Sequence, residues 1–217
     1  MSAPQIARLD PVKLRDDAYF ALRDAFTRGA FAPGDTVSLR QLADQLGISM
    51  TPVREAVRRL VAEGALIDTP SRTLMVPPFD TRRMEDLKAA RLALELLVLG
   101  QAMAAMTAGT LAELAAVLDR PRQGPPGLPD LRANYDFHFT LYRASGSEVL
   151  LRLVEALWVQ YGAYLNRIIA HPEAGRIAEH SHHRELLAAL HAGDAAAARR
   201  ALAADIERSF RVLVPAP

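Results

Sequence analysis

Residues 38–60 read SLRQLADQLGISMTPVREAVRRL, and this stretch decides the fold of the N-terminal third of the chain. Ser38 stands where a helix N-cap is wanted, and Gln41, three positions on, completes a capping-box spacing. Leu39, Leu42, Ala43 and Leu46 recur at helical intervals, and Gly47 offers the left-handed residue that ends such a helix. Ser49 or Thr51 can cap a second helix, and Pro52 suits its first turn because it has no N–H to leave unsatisfied. In that second helix Val53, Ala56, Val57, Leu60 and Val61 share one face, leaving Arg54, Arg58 and Arg59 outside. Helix, glycine turn and a helix with a basic outer face make a helix-turn-helix, whose second helix enters the major groove of DNA.

The flanks extend this reading in both directions. Val12 to Arg28 is a helical pattern with Leu14, Ala18, Leu22, Ala25 and Phe26 on one face, ending near Gly29. Pro33-Gly34 then makes a turn. On the far side, VREAVRRLVAEGALI (53–67) leads into DTPSRTLMV (68–76), a β-prone segment placed where a wing would stand. With these pieces in order, residues 14–78 resemble the winged helix-turn-helix domain of GntR-superfamily transcription regulators. The matching stretches are LRDAFTRGAFAPGD (22–35), LRQLADQLGIS (39–49) and TPVREAVRRLVAEGAL (51–66).

The resemblance implies that Arg40, Thr51 and Arg54 contact DNA. The chemistry of the residues agrees. Arg54 and Arg58 lie one turn apart and can project from one face. An arginine near the start of a recognition helix can take guanine O6 and N7 together. Ser49 and Thr51 can reach phosphate through hydroxyls or helix-start N–H groups. The competing reading is that these arginines are solvated surface charges, the usual fate of arginine on an amphipathic helix. Two positions depart from the family pattern: Met50 replaces an arginine, and Thr73 stands where the wing carries glycine. The expectation is an altered operator sequence or weaker affinity, with Arg72 supplying the charge of the wing.

Bulk composition neither demands nor excludes nucleic acid. Net charge is +1, and the basic residues are not skewed toward either half. DNA binding therefore has to come from local placement. The chain has no cysteine, which removes disulfide and thiolate chemistry. No signal-peptide pattern is present, and the most apolar run, Leu92 to Met106, is broken by Glu95, Gly100 and Gln101. A cytoplasmic protein without a membrane span is expected.

Residues 1–11, with Pro4 and Pro11, read as a flexible arm, and Pro77-Pro78 as the boundary after a winged domain at 12–78. From Thr81 the pattern is helical: Thr81–Ala108, Thr110–Asp119, Leu131–Ala144, Ser147–Ala170, Ala174–His191 and Asp194–Val212. The segment PRQGPPGLP (121–129) can only be a loop. The predicted fold is thus mainly α, a winged helix-turn-helix followed by an all-α bundle at 79–217. RLALE (91–95), NYDFHFTLYRASG (134–146) and HRELLAALHAGDAAAARRAL (183–202) resemble the FCD ligand-sensing domain of FadR-type GntR regulators.

Asn134 and His138 are four apart and share a helix face, with His183 and Asp205 on later helices. By resemblance these four occupy metal-ligand positions, with Asp205 where metal-binding relatives carry a third histidine. A mixed imidazole–carboxylate set suits zinc, nickel or manganese, and a small carboxylate effector could complete the coordination. His180, one turn before His183, is a candidate substitute ligand, and His182 should face away. The plainer alternative is that the two histidines are ordinary core or surface residues. The resemblance also implies Arg91 as an anion contact, since its planar fork matches a carboxylate; an ion pair with Glu95 at i+4 is the alternative. Tyr142, one turn from His138, has the spacing to share the wall of the pocket, whereas Trp158, Tyr161 and Tyr164 read as core.

The resulting expectation is a ligand-responsive transcription regulator, acting as a repressor, that binds a double-stranded DNA operator as a homodimer and performs no catalysis. Two other classes stay open on sequence. One is a metal-dependent enzyme built on the His/Asp cluster, against which no separate general base is evident. The other is a helical adaptor whose DNA-binding domain has degenerated at Met50 and Thr73.

Overall fold

The computed structural model of the chain describes residues 11–69, 73–122, 129–170 and 180–211. Three helices and three short strands come first: α1 (Pro11–Thr27), β1 (Thr36–Val37), α2 (Leu39–Leu46), α3 (Met50–Ala62), β2 (Ile67–Asp68) and β3 (Leu74–Met75). Six helices follow: α4 (Thr81–Ala104), α5 (Ala108–Leu118), α6 (Leu131–Arg143), α7 (Glu148–Ala170), α8 (Ser181–Ala192) and α9 (Ala195–Arg211).

The turn between α2 and α3 forms for the reasons visible in the residues. The Ser38 side chain accepts from the Gln41 N–H at 3.4 Å, and Gly47 adopts φ +66°. Ile48 N–H then returns to the Ala43 carbonyl at 3.1 Å, closing the last turn. Ser49 is the N-cap of α3 by backbone geometry alone, since its hydroxyl makes no capping hydrogen bond. Val53, Ala56, Val57 and Leu60 are almost fully buried against Leu22 and Phe26 of α1. The wing is an antiparallel sheet in the order β1-β3-β2, with Thr36 opposite Met75 and Ile67 opposite the same residue. Strand β1 is too short for any periodicity to announce it.

The boundary between the fourth and fifth helices differs from the ranges expected at Thr81–Ala108 and Thr110–Asp119. Helix α4 ends at Ala104, and α5 begins at Ala108 because Thr107, not Thr110, is its N-cap. The Thr107 hydroxyl accepts from the Thr110 N–H at 3.1 Å. Both threonines fit the pattern by type, and the earlier one leads because the chain has already turned.

The long helix α7 serves both halves of the molecule. Val154, Trp158, Tyr161 and Leu165 belong to the core of the helical bundle. Val159 and Ala163 instead complete the core around α1 and α3. Polar contacts bracket that seam. Arg23 of α1 pairs with Glu155 at 2.9 Å, and Arg83 of α4 reaches both the Gly64 carbonyl at 2.9 Å and Gln160 Oε1 at 2.6 Å. At the centre, Gly162 lies so close to α1 that a Cβ there would stand 2.0 Å from the Phe26 carbonyl oxygen. Among the described residues, no helix is long and apolar enough to cross a membrane.

Candidate metal centre and nucleic-acid interface

Three helices deliver the donor set. His138 comes from α6, His183 from α8 and Asp205 from α9, each facing inward at its helical repeat and each almost completely buried. His138 Nε2 lies 3.0 Å from Asp205 Oδ2 and 3.1 Å from His183 Nε2, and the last pair is 3.5 Å apart. A tetrahedral ion with ligands at about 2.1 Å needs its donor atoms roughly 3.4 Å from one another. The three therefore already sit at the edges of such a coordination shell.

Each donor is also held from behind. His138 Nδ1 bonds the Tyr142 hydroxyl at 2.9 Å, His183 Nδ1 bonds His180 Nδ1 at 2.8 Å, and Asp205 Oδ1 accepts from Arg208 Nη2 at 2.7 Å. This leaves Nε2, Nε2 and Oδ2 as the atoms turned toward one another. Orientation of imidazole ligands through their other nitrogen is what metal sites in proteins use. The electrostatics fit as well. Burial, countered only in part by Asp205, pushes the His183 pKa down to about 4, so its ring is a neutral donor at pH 7. Burial alone would push the Asp205 carboxyl up, but the neighbouring His183 and His138 rings hold it well below the usual carboxylate range. Two imidazoles and one carboxylate converge there, a donor set of the kind that could hold a divalent metal.

Beside the cluster lies a cavity of about 70 Å3 lined by Arg91, Asn134, His138, Tyr161, His183 and Asp205, among others. Asn134 reaches it from one turn before His138, as its spacing predicts. Arg91 is 2 % exposed and pairs with Glu95 through Nε at 2.6 Å and Nη2 at 3.3 Å, so the intrahelical ion pair is formed. Its guanidinium also stacks over Trp158 and Tyr161, 4.6 and 4.4 Å from the ring centres. Among the described residues Nη1 has no hydrogen-bond partner. The two readings of Arg91 are therefore compatible: one edge is paired with Glu95 and one donor is left over in a residue that lines the cavity.

Tyr142 requires a correction. Expected in the cavity wall, it is wholly buried behind His138, where it bonds the imidazole and donates its hydrogen to Glu95. The i+4 spacing brings it to His138, but α4 packs over it and removes it from the cavity. His180 is another residue the spacing only half described. It lies at φ 59°, a left-handed conformation unusual outside glycine, and contacts the back of His183 and not the converging atoms. His182 turns outward to Glu185 at 2.9 Å. Arg208 and Ser209, which line the cavity, went unread; the i+3 spacing of Arg208 from Asp205 was the available signal.

In the N-terminal part of the chain, Arg40, Ser49, Thr51, Arg54 and Arg58 are all exposed on or beside α2 and α3. Arg58 pairs with Glu55 at 2.7 Å, a contact between exposed groups worth little. Arg59 turns the other way: it pairs with Asp16 at 3.1 Å and lies 3.6 Å over the Tyr19 ring, bracing α3 on α1. Among the described residues neither Arg40 nor Arg54 has an ion-pair partner. Met50 is 47 % exposed at the start of α3, so a thioether stands on the surface where charge would be expected. Arg72 falls outside the described residues.

Residues 14–75 match the family of bacterial regulatory proteins named gntR, and residues 86–208 match the FCD domain. The HTH-type transcriptional regulator McbR of Escherichia coli is 31 % identical over 214 residues, covering 97 % of either chain. This chain belongs to the GntR family. It is a ligand-responsive DNA-binding transcription regulator of the kind that carries an FCD domain. The Nta operon transcriptional regulator of Aminobacter aminovorans is 31 % identical over 58 % of this chain and 61 % of its own. Among solved structures, E. coli McbR/YncC superposes with a TM-score of 0.84 at 31 % identity, over 92 % of this chain and 96 % of that one. McbR shares this architecture over 92 % of the chain, which favours the regulator reading over a metal-dependent enzyme or an adaptor.

Proposed function

We propose that this GntR regulator represses transcription as a cytoplasmic homodimer, and that a small carboxylate effector, held beside a divalent metal in the helical domain, relieves the repression. The observation that carries the sensing half is the convergence of His138, His183 and Asp205 next to the unpartnered Nη1 of Arg91. His138, His183 and Asp205 would hold the ion and Asn134 stands at the same cavity. Bound there, the metal would act as a Lewis acid that accepts an oxygen of the effector. Arg91 Nη1 would donate to a carboxylate in the same space. Zinc, nickel and manganese all suit this donor set. The protein would act through binding and not through turnover.

Metal analysis tests the sensing half. The purified protein is expected to hold about one divalent ion per chain, removable by chelator, with His138→Ala reducing the content to background. Absence of stoichiometric metal, together with no rise in melting temperature on adding zinc, would overturn the ligand set.

The DNA half rests on exposed Arg40, Ser49, Thr51 and Arg54, with Arg58 beside them and Arg72 expected in the wing. With Met50 in place of a charge, base discrimination falls mainly on Arg54. Arg54→Ala should cost about 1–3 kcal/mol of operator preference while leaving non-specific affinity nearly unchanged. Competition binding with operator and random duplexes at fixed salt measures both, and intact discrimination would show that α3 does not read the bases.

The outer face of α4 supports dimerisation. Ala89, Ala93, Leu97, Gly100 and Ala104 are exposed along it, and the only charged residues from Ala89 to Ala104, Arg91 and Glu95, are buried. A small-residue face around Leu97 lets two copies approach closely about a two-fold axis, matching two DNA half-sites. Leu97→Glu should convert a dimer to a monomer in sedimentation equilibrium; a dimer unaffected by that change would place the interface elsewhere.

A further inference from the structure

The buried hydrogen bonds behind His138 form an ordered series. Glu95 receives Arg91 Nε at 2.6 Å and Trp158 Nε1 at 3.1 Å on Oε1, and Arg91 Nη2 at 3.3 Å and the Tyr142 hydroxyl on Oε2. It is fully buried, and each of these partners donates to it. A tyrosine has one hydroxyl hydrogen, and a buried carboxylate is a stronger acceptor for it than an imidazole nitrogen. With that hydrogen committed to Glu95, the Tyr142 oxygen can only accept from His138 Nδ1, 2.9 Å away. His138 must then carry its proton on Nδ1. In the neutral ring its Nε2 lone pair then faces Asp205 Oδ2 and His183 Nε2.

We infer that Glu95 and Tyr142 are positioning residues for the metal centre, setting the tautomer of His138 so that Nε2 is presented as a donor. This inference rests on the metal reading proposed above. Neither residue lines the cavity or reaches the point of convergence; Tyr142 acts on the donor set through the His138 ring, and Glu95 acts through Tyr142 while also holding Arg91. Without the Tyr142 hydroxyl the preference reverses. His138 would place its proton on Nε2 and donate to Asp205 Oδ2, 3.0 Å away, occupying both groups that a cation needs. The polarity of one phenol therefore decides whether the cluster is closed on itself or open to an ion.

The test uses the full-length, metal-free protein labelled with 15N. Long-range 1H–15N correlation of the imidazoles at about pH 9, where an ordinary histidine is neutral, should show His138 protonated at Nδ1 and bare at Nε2. In Tyr142→Phe, which keeps the ring and removes only the oxygen, the proton should move to Nε2. Zinc affinity, read by competition with a chromophoric chelator, should fall about 10–100-fold in the same variant. A proton on Nε2 of His138 in the unmodified protein overturns the inference, and this measurement needs no variant to fold. Equal zinc affinity in the two proteins also overturns it while leaving the metal reading intact. Failure of the unmodified protein to bind zinc sinks the metal reading itself, and the positioning role with it.

Discussion

Gly162→Ala should lower the melting temperature by about 4–8 °C, although a glycine-to-alanine change inside a helix ordinarily raises it. The usual gain is about 1 kcal/mol, because glycine loses more backbone freedom than alanine on folding. Here the added Cβ would lie 2.0 Å from the Phe26 carbonyl oxygen, 2.7 Å from its carbon and 2.8 Å from Thr27 Cα. All three are backbone atoms of α1, so no side chain can swing aside. Helix α1 has to move, loosening Phe26, Val159 and Ala163 and stretching the Arg23–Glu155 pair. Overpacking of this kind costs up to about 3 kcal/mol or somewhat more, leaving a net loss near 2 kcal/mol. For a chain of this length each kcal/mol corresponds to roughly 2–4 °C. Scanning calorimetry gives the sign directly, and a variant as stable as the parent would mean that α1 does not seat on α7 in this way.

Glu95→Ala should be the more damaging change, costing about 3–5 kcal/mol. Arg91 is 2 % exposed and Glu95 is fully buried, so truncation leaves a guanidinium in the core without its counter-charge. Burial alone would push the Arg91 pKa down; Glu95, by charge and hydrogen bond, raises it above the usual arginine range. The ring faces of Trp158 and Tyr161 soften the loss but do not replace a carboxylate. Removing both charges, as in Arg91→Met with Glu95→Leu, should recover a substantial part of it, since no unpaired ion remains. Urea unfolding of Arg91→Met, Glu95→Leu and the double variant closes the cycle, with Glu95→Ala measured beside them. If Glu95→Ala costs less than about 1 kcal/mol, the pair is open to solvent and the buried network described above does not exist.

How far these effects could be read beforehand differs between the two halves. The helix-turn-helix was legible because every signal in it is local. Ser38 caps a helix three residues away, Gly47 ends it, and Val53 to Leu60 repeat within a single element. Arg59 marks the limit of that reading. It shares the polar face with Arg54 and Arg58 in sequence, yet only the packing of α1 shows that it faces Asp16 and Tyr19 instead. Strand β1 and the Thr107 cap were missed for a similar reason: two residues and two neighbouring threonines carry too little pattern to choose between outcomes.

The sequence by itself determined the winged helix-turn-helix, the run of helices after it and the residue types that could hold a metal. Periodicity and capping act over a few residues, so their consequences are written where they occur. Tertiary structure alone decided which of those residues meet. Tyr142 and Glu95 are 47 positions apart and Trp158 and Glu95 are 63 apart, with nothing in either neighbourhood to announce the contact. The contact of Gly162 with Phe26, and the share of α7 between two cores, are likewise matters of helix packing. The SLRQLADQLGISMTPVREAVRRL stretch names its own fold because its hydrogen bonds close within it. The sensing cluster could not, because its bonds close only when α4, α6, α7, α8 and α9 pack together.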